Sequence, residues 1–333
     1  MSEVSCEAIK KVLLKYYEKV EVSIVNNLTD LDDVVFKKPD LVFLGMKFVP
    51  TNTSLGRIDP DKNWISEYLD KNGINYTGSE NLALKYELNK QDAKKRVMAM
   101  GIASSPYFVA IQGQKFTESD IDLKYPLFVK PTDRGGGLGI DDYSVIHEFS
   151  DLITKVTDIT TVLESDSLIE EYLTGREFSV AILKNIEDGT YSQMPIEIIA
   201  DSNSDGNTIL GCATKALNEE IVVKVDDSEL NKTLSDFAQK VFFALGARDY
   251  GRIDIRLDTN GLPMFLEANL LPSLIENYGN FPKACFLYKQ MDHESVILNL
   301  ANLGLIHEKK KNIFTQITLG NMKKTLKPAF IEI

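Results

Sequence analysis

The chain has 333 residues, of which 44% are hydrophobic and 26% charged, the balance of an ordinary globular protein. Lys and Arg number 37 against 49 Asp and Glu, so the formal net charge is −12. The negative overall charge disfavours nucleic acid and anionic membranes as partners, because both need a basic surface, and we expect neither. One domain of this length would be unusually large, so two or three subdomains are expected.

The scattered cysteines and histidines further narrow the classes of protein to which the chain could belong. Their spacing argues against a disulfide framework and against a zinc site. These residues are Cys6, Cys212, Cys285, His147, His293 and His307. No apolar run approaches the roughly 18 residues that a membrane span needs. The N-terminus carries early acids and has no signal-peptide core, so we expect a protein of the reducing cytoplasm.

The first eighty residues alternate between helical and strand patterns. A stripe of apolar residues predicts a helix over 3–19, and a second helix is expected over 59–72, just before Gly73. The short apolar runs VEVSIV, DLVFLGM and INYTGS have the length of strands. Alternation of this kind predicts a small parallel α/β unit.

The rest of the chain adds more strands. Helical patterns are expected over 80–100, 146–156, 229–245 and 281–304. Strand patterns are expected at YFVAI, YPLFVKPT, LIEEYL, EFSVAIL and MPIEII. The second of these leads into a glycine-rich loop, and the last three follow one another with little helix between them.

The strongest constellation is the segment GRIDIRLDTNGLPMFLEAN, which predicts a hairpin. Asn260-Gly261 favours a two-residue type I′ turn, because both positions accept positive φ. With that turn, the facing pairs are Asp254 with Glu267 and Arg252 with Asn269. Strand alternation then places these four residues on one face and apolar residues on the other.

Two carboxylates on facing strands repel each other, since their β-carbons are about 5 Å apart. A divalent cation between them would remove the repulsion, and carboxylate oxygens with an Asn carbonyl suit Mg²⁺. Arg252, on the same face, could hold a phosphoryl group or a developing oxyanion. The alternative is a solvated hairpin whose acidic face keeps an edge strand soluble.

The glycine-rich loop begins five residues after Lys130, which ends an apolar strand. Backbone amides of Gly135, Gly136 and Gly137 could approach phosphate oxygens with no β-carbon in the way. The alternative is a flexible turn. Lys90, on a predicted helix, has by itself the character of a solvated surface lysine.

The segment LIEEYLTGREF places acidic residues between strands that look buried. An adenine needs an apolar slot with backbone donors and acceptors at its edge. The residues that could supply this edge are Glu170, Glu171, Tyr172 and Leu173. Glu177 could accept hydrogen bonds from ribose hydroxyls. The alternative is a charged edge strand.

In chain order, these motifs together resemble the ATP-grasp superfamily. They are a helix lysine, KP with a glycine-rich loop, EEYLTGREF, an isolated loop lysine and GRIDIRLD…FLEAN…P. Within the superfamily they resemble D-alanine–D-alanine ligases, from about residue 59 to about residue 304. The resemblance implies an α/β (α+β ATP-grasp) fold, with an N-terminal parallel α/β subdomain before two subdomains that enclose the nucleotide. The expected boundaries are 1–79, 80–167 and 168–308, followed by a lysine-rich tail at 309–333.

The resemblance also implies roles for individual residues. ATP phosphates would contact Lys90, Lys130, Gly135, Gly136 and Gly137, adenine would contact Glu170, Glu171, Tyr172 and Leu173, and ribose would contact Glu177. Two Mg²⁺ ions, replaceable by Mn²⁺, would be held by Asp254, Glu267 and Asn269. The catalytic residues would be Arg252, which stabilises the tetrahedral intermediate, Lys215 in the loop that closes over the site, and Ser273, whose backbone amide contacts the oxyanion.

Such a family member would be an ATP-dependent carboxylate–amine ligase. A carboxylate attacks the γ-phosphate of ATP to give an acyl phosphate, and an amine then attacks the carbonyl to form an amide or peptide bond. The implied substrates are a small carboxylate and a small amine, as amino acids or short peptides. A homodimer is usual in the family.

Three departures from the family pattern affect the substrate. We expect no counterpart of the strand and loop that bring a glutamate to the first amino acid, and Ser54–Arg57 stands where a histidine-containing segment is usual. Gly136 and Gly137 stand where paired serines are usual, and Ser273 stands where glycine is usual. We therefore expect a substrate other than the D-alanine pair. The alternatives are an ATP-binding scaffold that has lost ligation and another ATP-grasp chemistry.

Overall fold

The computed structural model of the protein describes residues 1–200, 206–209, 211, 220–307 and 327–333. Its helices are α1 (Glu3–Leu13), α2 (Leu28–Phe36), α3 (Ile65–Lys71), α4 (Asn81–Leu88), α5 (Lys90–Ala99), α6 (Phe149–Leu163), α7 (Ser228–Ala244), α8 (Asn280–Lys289) and α9 (His293–Leu305). None of the helices in these ranges is long and apolar enough to cross a membrane.

The strands in the same ranges form four sheets. They are β1 (Tyr17–Glu21), β2 (Leu41–Val42), β3 (Phe48–Pro50), β4 (Lys62–Trp64), β5 (Asn75–Tyr76), β6 (Tyr107–Ala110), β7 (Leu127–Pro131), β8 (Val145–Ile146), β9 (Ser167–Glu171), β10 (Glu177–Lys184), β11 (Tyr191–Ile199), β12 (Ile221–Lys224), β13 (Tyr250–Leu257), β14 (Pro263–Asn269) and β15 (Lys327–Glu332). The smallest sheet is the pair β3–β4.

The N-terminal sheet is parallel, with the strand order β1-β15-β2-β5. The predicted alternation of helices and parallel strands in this region is confirmed. The helix predicted over 3–19 is shorter, because α1 ends at Leu13 and the chain then turns into β1. Buried apolar residues of α2 and α3, including Leu31, Val34 and Leu69, pack against Val42 and other core residues.

The second strand of this sheet, β15, comes from the far end of the sequence. Ile331 pairs with Val20 of β1 on one side and with Leu41 of β2 on the other, and its side chain is fully buried. The stretch 309–333 was predicted to be a tail, yet its last residues form this strand. The physical reason is pairing, because β1 and β2 each direct backbone donors and acceptors toward the strand between them.

The second sheet is antiparallel, with the strand order β6-β9-β7-β8, and α6 packs against it. Leu152 and Ile159 of α6 bury against Leu127 and Ile169. The boundary predicted between residues 167 and 168 falls inside β9, which pairs with both β6 and β7. The strand LIEEYL therefore belongs to this sheet.

The third sheet is also antiparallel, with the strand order β12-β11-β10-β13-β14. Helices α4, α5 and α7 share a buried apolar core with it, although α4 and α5 were assigned by sequence to the 80–167 unit. The single helix predicted over 80–100 is broken at Asn89, whose side chain caps α5 by accepting from the Asp92 backbone N–H at 3.1 Å. The break makes Lys90 the first residue of α5.

Candidate active site

The hairpin of β13 and β14 has the predicted strand pairing at the end away from its turn. Arg252 lies opposite Asn269, and Asp254 lies opposite Glu267. The apolar face packs into the core of the third sheet, where Ile253 is fully buried. The opposite face therefore carries the two carboxylates together with an arginine and an asparagine.

The predicted type I′ turn, however, is wrong. Asp258 N–H donates to Leu262 O at 2.9 Å, so three residues connect the strands. Of the pair Asn260-Gly261, only Gly261 has a positive φ, 79°. The Asp258 carboxylate accepts from the backbone N–H groups of Asn260 and Leu262, both at 2.8 Å, which favours this longer connection.

A bulge restores the register that the longer connection shifts. Asp254 pairs with Glu267, but the next pair is Ile255 with Phe265, so Leu266 is an extra residue in β14. The connection and the bulge each move the register by one residue in opposite senses. The predicted facing pairs are therefore correct although the predicted turn is not.

Asp254 is held by side chains from three strands. Its Oδ1 accepts from Ser179 Oγ of β10 at 2.6 Å and lies 3.0 Å from Arg252 Nε. Its Oδ2 accepts from Arg252 Nη2 at 3.0 Å and from Asn269 Nδ2 at 2.9 Å. With only 7% of its surface exposed, Asp254 has a fixed orientation.

The donor set on this face fits a magnesium ion. Asp254 and Glu267 supply anionic oxygens from adjacent strands, and Asn269 adds an amide oxygen, all hard ligands of the kind that Mg²⁺ prefers. Within the described ranges no three His, Cys, Asp or Glu residues cluster as a metal site. A third protein ligand here would accordingly come from Asn269, and substrate phosphates or water would complete the shell.

Lys90 reaches the same face from α5. Its Nζ lies 3.5 Å from Glu267 Oε2 and donates to the carbonyl oxygen of Arg134, at the start of the glycine-rich loop. Burial lowers the pKa of Lys90 below the ordinary lysine value, although Glu267 opposes this shift. Lys90 thus joins the hairpin to the loop that follows β7.

A buried charge cluster lies behind this face. Glu170 of β9 contacts Lys94 Nζ through Oε1 and lies 2.6 Å from Lys130 Nζ through Oε2. Lys94 also donates to Ser104 Oγ at 2.8 Å and to Phe265 O at 3.1 Å. The side chains of these three charged residues are at most 6% exposed.

Burial and pairing shift the pKa values of all three groups in this cluster. Burial lowers the pKa of Lys94 and outweighs its attraction to Glu170. Burial acts in the same sense on Lys130, but the carboxylates of Glu170 and Glu267 outweigh it and raise the pKa of Lys130. For Glu170, burial is outweighed by Lys130 and Lys94, and its pKa falls below the ordinary glutamate value. All three groups are therefore paired charges rather than surface residues.

A cavity opens between the second and third sheets, beside the charge cluster. Its lining residues are Ser105, Phe128, Lys130, Ile140, Glu170, Glu171, Tyr172, Leu173, Glu177, Ile209, Asp254, Arg256, Leu266 and Glu267. The structure thus brings eight predicted site residues to one cavity. Lys90, Arg252 and Asn269 contact members of this set. Seven of the 14 lining residues are charged and most of the others are apolar or aromatic, a mixture that suits a ligand with both a charged and an apolar part.

Other predicted residues lie at the margin of the cavity. Gly135, Gly136 and Gly137 are outside its lining, and the last two have positive φ values of 67° and 77°, which glycine adopts without strain. Ser273 is exposed, four residues beyond the end of β14. Lys215 lies outside the described residues.

Sequence reasoning missed two residues of the site. Lys94 lies one helical turn after Lys90, so the i, i+4 spacing was an available signal. Arg256 follows Asp254 by two positions and so shares its strand face, which was a second signal. The predicted place of Glu170 is the edge of an adenine slot; it lines the cavity, and its carboxylate also pairs with the two buried lysines.

Comparison with known proteins connects this geometry to a family. The family model described as "D-ala D-ala ligase C-terminus" matches residues 97–301, more than half of the chain. An uncharacterized protein, y4sG, of Sinorhizobium fredii is 31% identical over 63% of this chain and 61% of its own length. A D-alanine–D-alanine ligase of Leptospira biflexa is 28% identical over 63% of this chain and 60% of its own length. The chain thus spans about three fifths of these relatives.

Solved structures share the fold. The D-alanine–D-alanine ligase of Bacillus anthracis, complexed with ATP, superposes with a TM-score of 0.58 at 21% identity, over 73% of this chain and 74% of that one. This agreement confirms the expected α/β ATP-grasp architecture. Together with the family match, it shows that the chain belongs to the D-alanine–D-alanine ligase-like family of ATP-grasp proteins.

Proposed function

We propose that this protein is an ATP- and Mg²⁺-dependent ligase that joins a small carboxylate to an amine through an acyl phosphate. The observation that carries the proposal is that lysines and carboxylates from separate parts of the chain meet at one cavity. Lys130 and the hairpin carboxylates Asp254 and Glu267 line it together, and Lys90 is in ion-pair contact with Glu267. Two cations beside two facing carboxylates suit a polyphosphate bound through a divalent ion.

The residues divide the work by their chemistry. Lys90 and Lys130 would neutralise phosphate oxygens, while Glu177 would accept from ribose hydroxyls. When bound to Asp254, Glu267 and Asn269, Mg²⁺ would supply further charge neutralisation on the transferring phosphoryl group. Arg252, whose guanidinium is oriented by Asp254, would stabilise the developing oxyanion.

The proposed reaction balances in two steps. A carboxylate oxygen forms a bond to the γ-phosphorus of ATP, and the bond to the bridging oxygen breaks to release ADP. The amine nitrogen then forms a bond to the acyl carbon, phosphate leaves with the electron pair, and the amine gives up a proton. The role of the protein is to position the reactants and to stabilise charge.

We further propose that the substrates are amino acids or short peptides other than a pair of D-alanines. The support is the segment beyond Asn269, where Ser273 replaces the glycine of the family pattern and is exposed. A changed segment there would reshape the acceptor pocket while leaving the nucleotide end intact. The backbone amide of Ser273 would remain available to an oxyanion.

The test is ADP release across a panel of amino acids and dipeptides of both configurations, with ATP and Mg²⁺. We expect stimulation by a specific carboxylate and amine pair other than D-alanine alone, with a condensed product visible by mass spectrometry. Tight ATP binding with no stimulation by any pair would overturn the ligase proposal and favour a scaffold that only binds ATP. Strong turnover with D-alanine alone would overturn the substrate proposal.

A further inference from the structure

Arg256 is a buried cation in the wall of the cavity. It lies on β13, two residues after Asp254, and only 8% of its surface is exposed. Its neighbours along the wall include the apolar residues Leu173 and Ile209. A guanidinium in such surroundings is costly unless its donors are satisfied, so its partners are informative.

Every nitrogen of this guanidinium faces an acceptor from the protein. Nε donates to Gly175 O at 3.1 Å, and both Nη atoms donate to Thr208 O at 3.2 Å. Nη2 also donates to the Tyr172 hydroxyl at 3.3 Å, and Nη1 lies 3.5 Å from Glu177 Oε2. The donor edge of Arg256 is thus turned toward the protein and held there from several directions.

A guanidinium fixed by its edge can offer a ligand only its flat face. To read the edge of a nucleobase, Arg256 would have to break several of these hydrogen bonds, each made by a charged donor. Its face needs no such change, because a planar, weakly hydrated cation stacks on aromatic rings. Arg256 Cζ already lies 5.0 Å from the centroid of the Tyr172 ring, within the range of a cation–π contact.

We propose that Arg256 is a nucleobase-binding residue that stacks on the base through its face and does not read the base edge. The inference rests on the proposed function, because it requires that ATP occupies this cavity. Arg256 then strengthens binding of the base without choosing among bases. Selection among bases is left to the chain around Glu171–Leu173, at the edge of the cavity.

The test is calorimetric titration of the wild-type protein and of Arg256→Met with three Mg²⁺-loaded probes. The affinity for ATP includes every contact that Arg256 makes with the base. 7-Deaza-ATP lacks the N7 acceptor that a guanidinium edge would bind. Ribose 5-triphosphate has no base but keeps the ribose near Glu177. We expect Arg256→Met to weaken ATP and 7-deaza-ATP by the same factor, about tenfold, and to leave ribose 5-triphosphate unchanged.

Two further variants separate stacking from a structural role. Arg256→Lys keeps the charge without the planar face, and we expect the same pattern of losses with smaller factors. Arg176→Met is the matched control, since Arg176 also pairs with a carboxylate, Glu197, at 2.6 Å, but lies outside the cavity lining. We expect its affinities for all three probes to equal those of the wild type.

Three results would overturn the inference while the proposed function stands. Equal loss for ribose 5-triphosphate and ATP would show that Arg256 acts through Glu177 or through the shape of the pocket. A loss for ATP larger than that for 7-deaza-ATP would show edge reading. Unchanged ATP affinity in both Arg256 variants would show that Arg256 makes no contact with the base. A wild-type protein that fails to bind ATP would overturn the proposed function, and the inference with it.

Discussion

The two ends of the candidate site hold their residues in different ways. At the end proposed to bind the nucleotide, Lys94, Lys130 and Glu170 are buried and paired, and each belongs to a helix or strand. At the other end, the chain runs from Leu270 to Gly279 without helix or strand, and its residues 275–278 are exposed. One end is fixed by paired charges inside the protein, and the other is a loop in which five of the ten residues, Ser273 and 275–278, are exposed.

This difference explains why the family pattern is strong at one end and weak at the other. Removing a partner from a buried ion pair costs about 3 to 5 kcal/mol, whereas an exposed substitution usually changes stability by less than about 0.5 kcal/mol. The nucleotide end therefore tolerates little change. The loop can vary at its exposed positions while the fold remains stable, and under the proposed function the substrate would vary with it.

The strongest test of the nucleotide end is Glu267→Gln. Loss of an anionic ligand should reduce Mg²⁺-dependent turnover by about a thousandfold, because a neutral amide holds Mg²⁺ more weakly than a carboxylate does, and the ion would neutralise charge on the transferring phosphoryl group. The measurement is ADP release as a function of Mg²⁺ concentration. Glu187→Gln, in the exposed β10–β11 turn, is the matched control and should behave as the wild type. Near-normal turnover of Glu267→Gln would exclude the metal assignment.

The next largest effect should come from Glu170→Gln, which removes the buried carboxylate that is paired with both Lys94 and Lys130. We expect the free energy of unfolding at pH 7 to fall by about 3 to 5 kcal/mol, measured by urea denaturation. Glu171→Gln is the control, because that carboxylate accepts from Lys124 N–H at 3.1 Å near the surface, and its loss should cost about 1 kcal/mol or less.

The effect of Glu170→Gln on the free energy of unfolding should also depend on pH, with a definite sign. The pKa of Glu170 is lowered in the folded protein, so its stabilisation is present above the unfolded value of about 4.3 and is lost as pH falls through the folded value. The difference in unfolding free energy between wild type and Glu170→Gln should therefore shrink below about pH 4.3. A difference that stays constant down to pH 2 would contradict the assigned shift.

The smallest effect is expected at the exposed end. Ser273→Ala should keep turnover within about twofold, because the proposed oxyanion contact uses the backbone N–H and not the hydroxyl. Ser273→Pro removes that N–H and should lower turnover by about a hundredfold. If Ala and Pro had equal effects, the side chain or the loop shape would be the important feature, and the two ends of the site would differ less than proposed.

The hairpin illustrates how far sequence reasoning reaches. Alternation along β13 and β14 predicts correctly that Asp254 faces Glu267, because a buried apolar face fixes which residues point away from it. The turn was not predicted correctly, because Asn260-Gly261 favours a two-residue turn, whereas the Asp258 side chain accepts from nearby backbone N–H groups and favours a longer connection. The bulge at Leu266 gives no local signal.

Contacts between residues far apart in the sequence were the other limit on prediction. Lys94 and Glu170 are 76 positions apart, and only the packing of α5 against the edges of two sheets brings them together. Charge alone predicts exposure for both residues. Similarly, PAFIEI at the end of the chain has the length of a strand, but the sequence contains no sign that its place is between β1 and β2.

The position of β15 has a consequence for the order of folding. During synthesis, β1 and β2 leave the ribosome about 300 residues before the strand that joins them, so their sheet contains contacts of very high sequence separation. Until β15 arrives, the inner edges of both strands are open to wrong partners. The N-terminal sheet can therefore be completed only after the parts that form the candidate site have been synthesised, although its first strand is made before them.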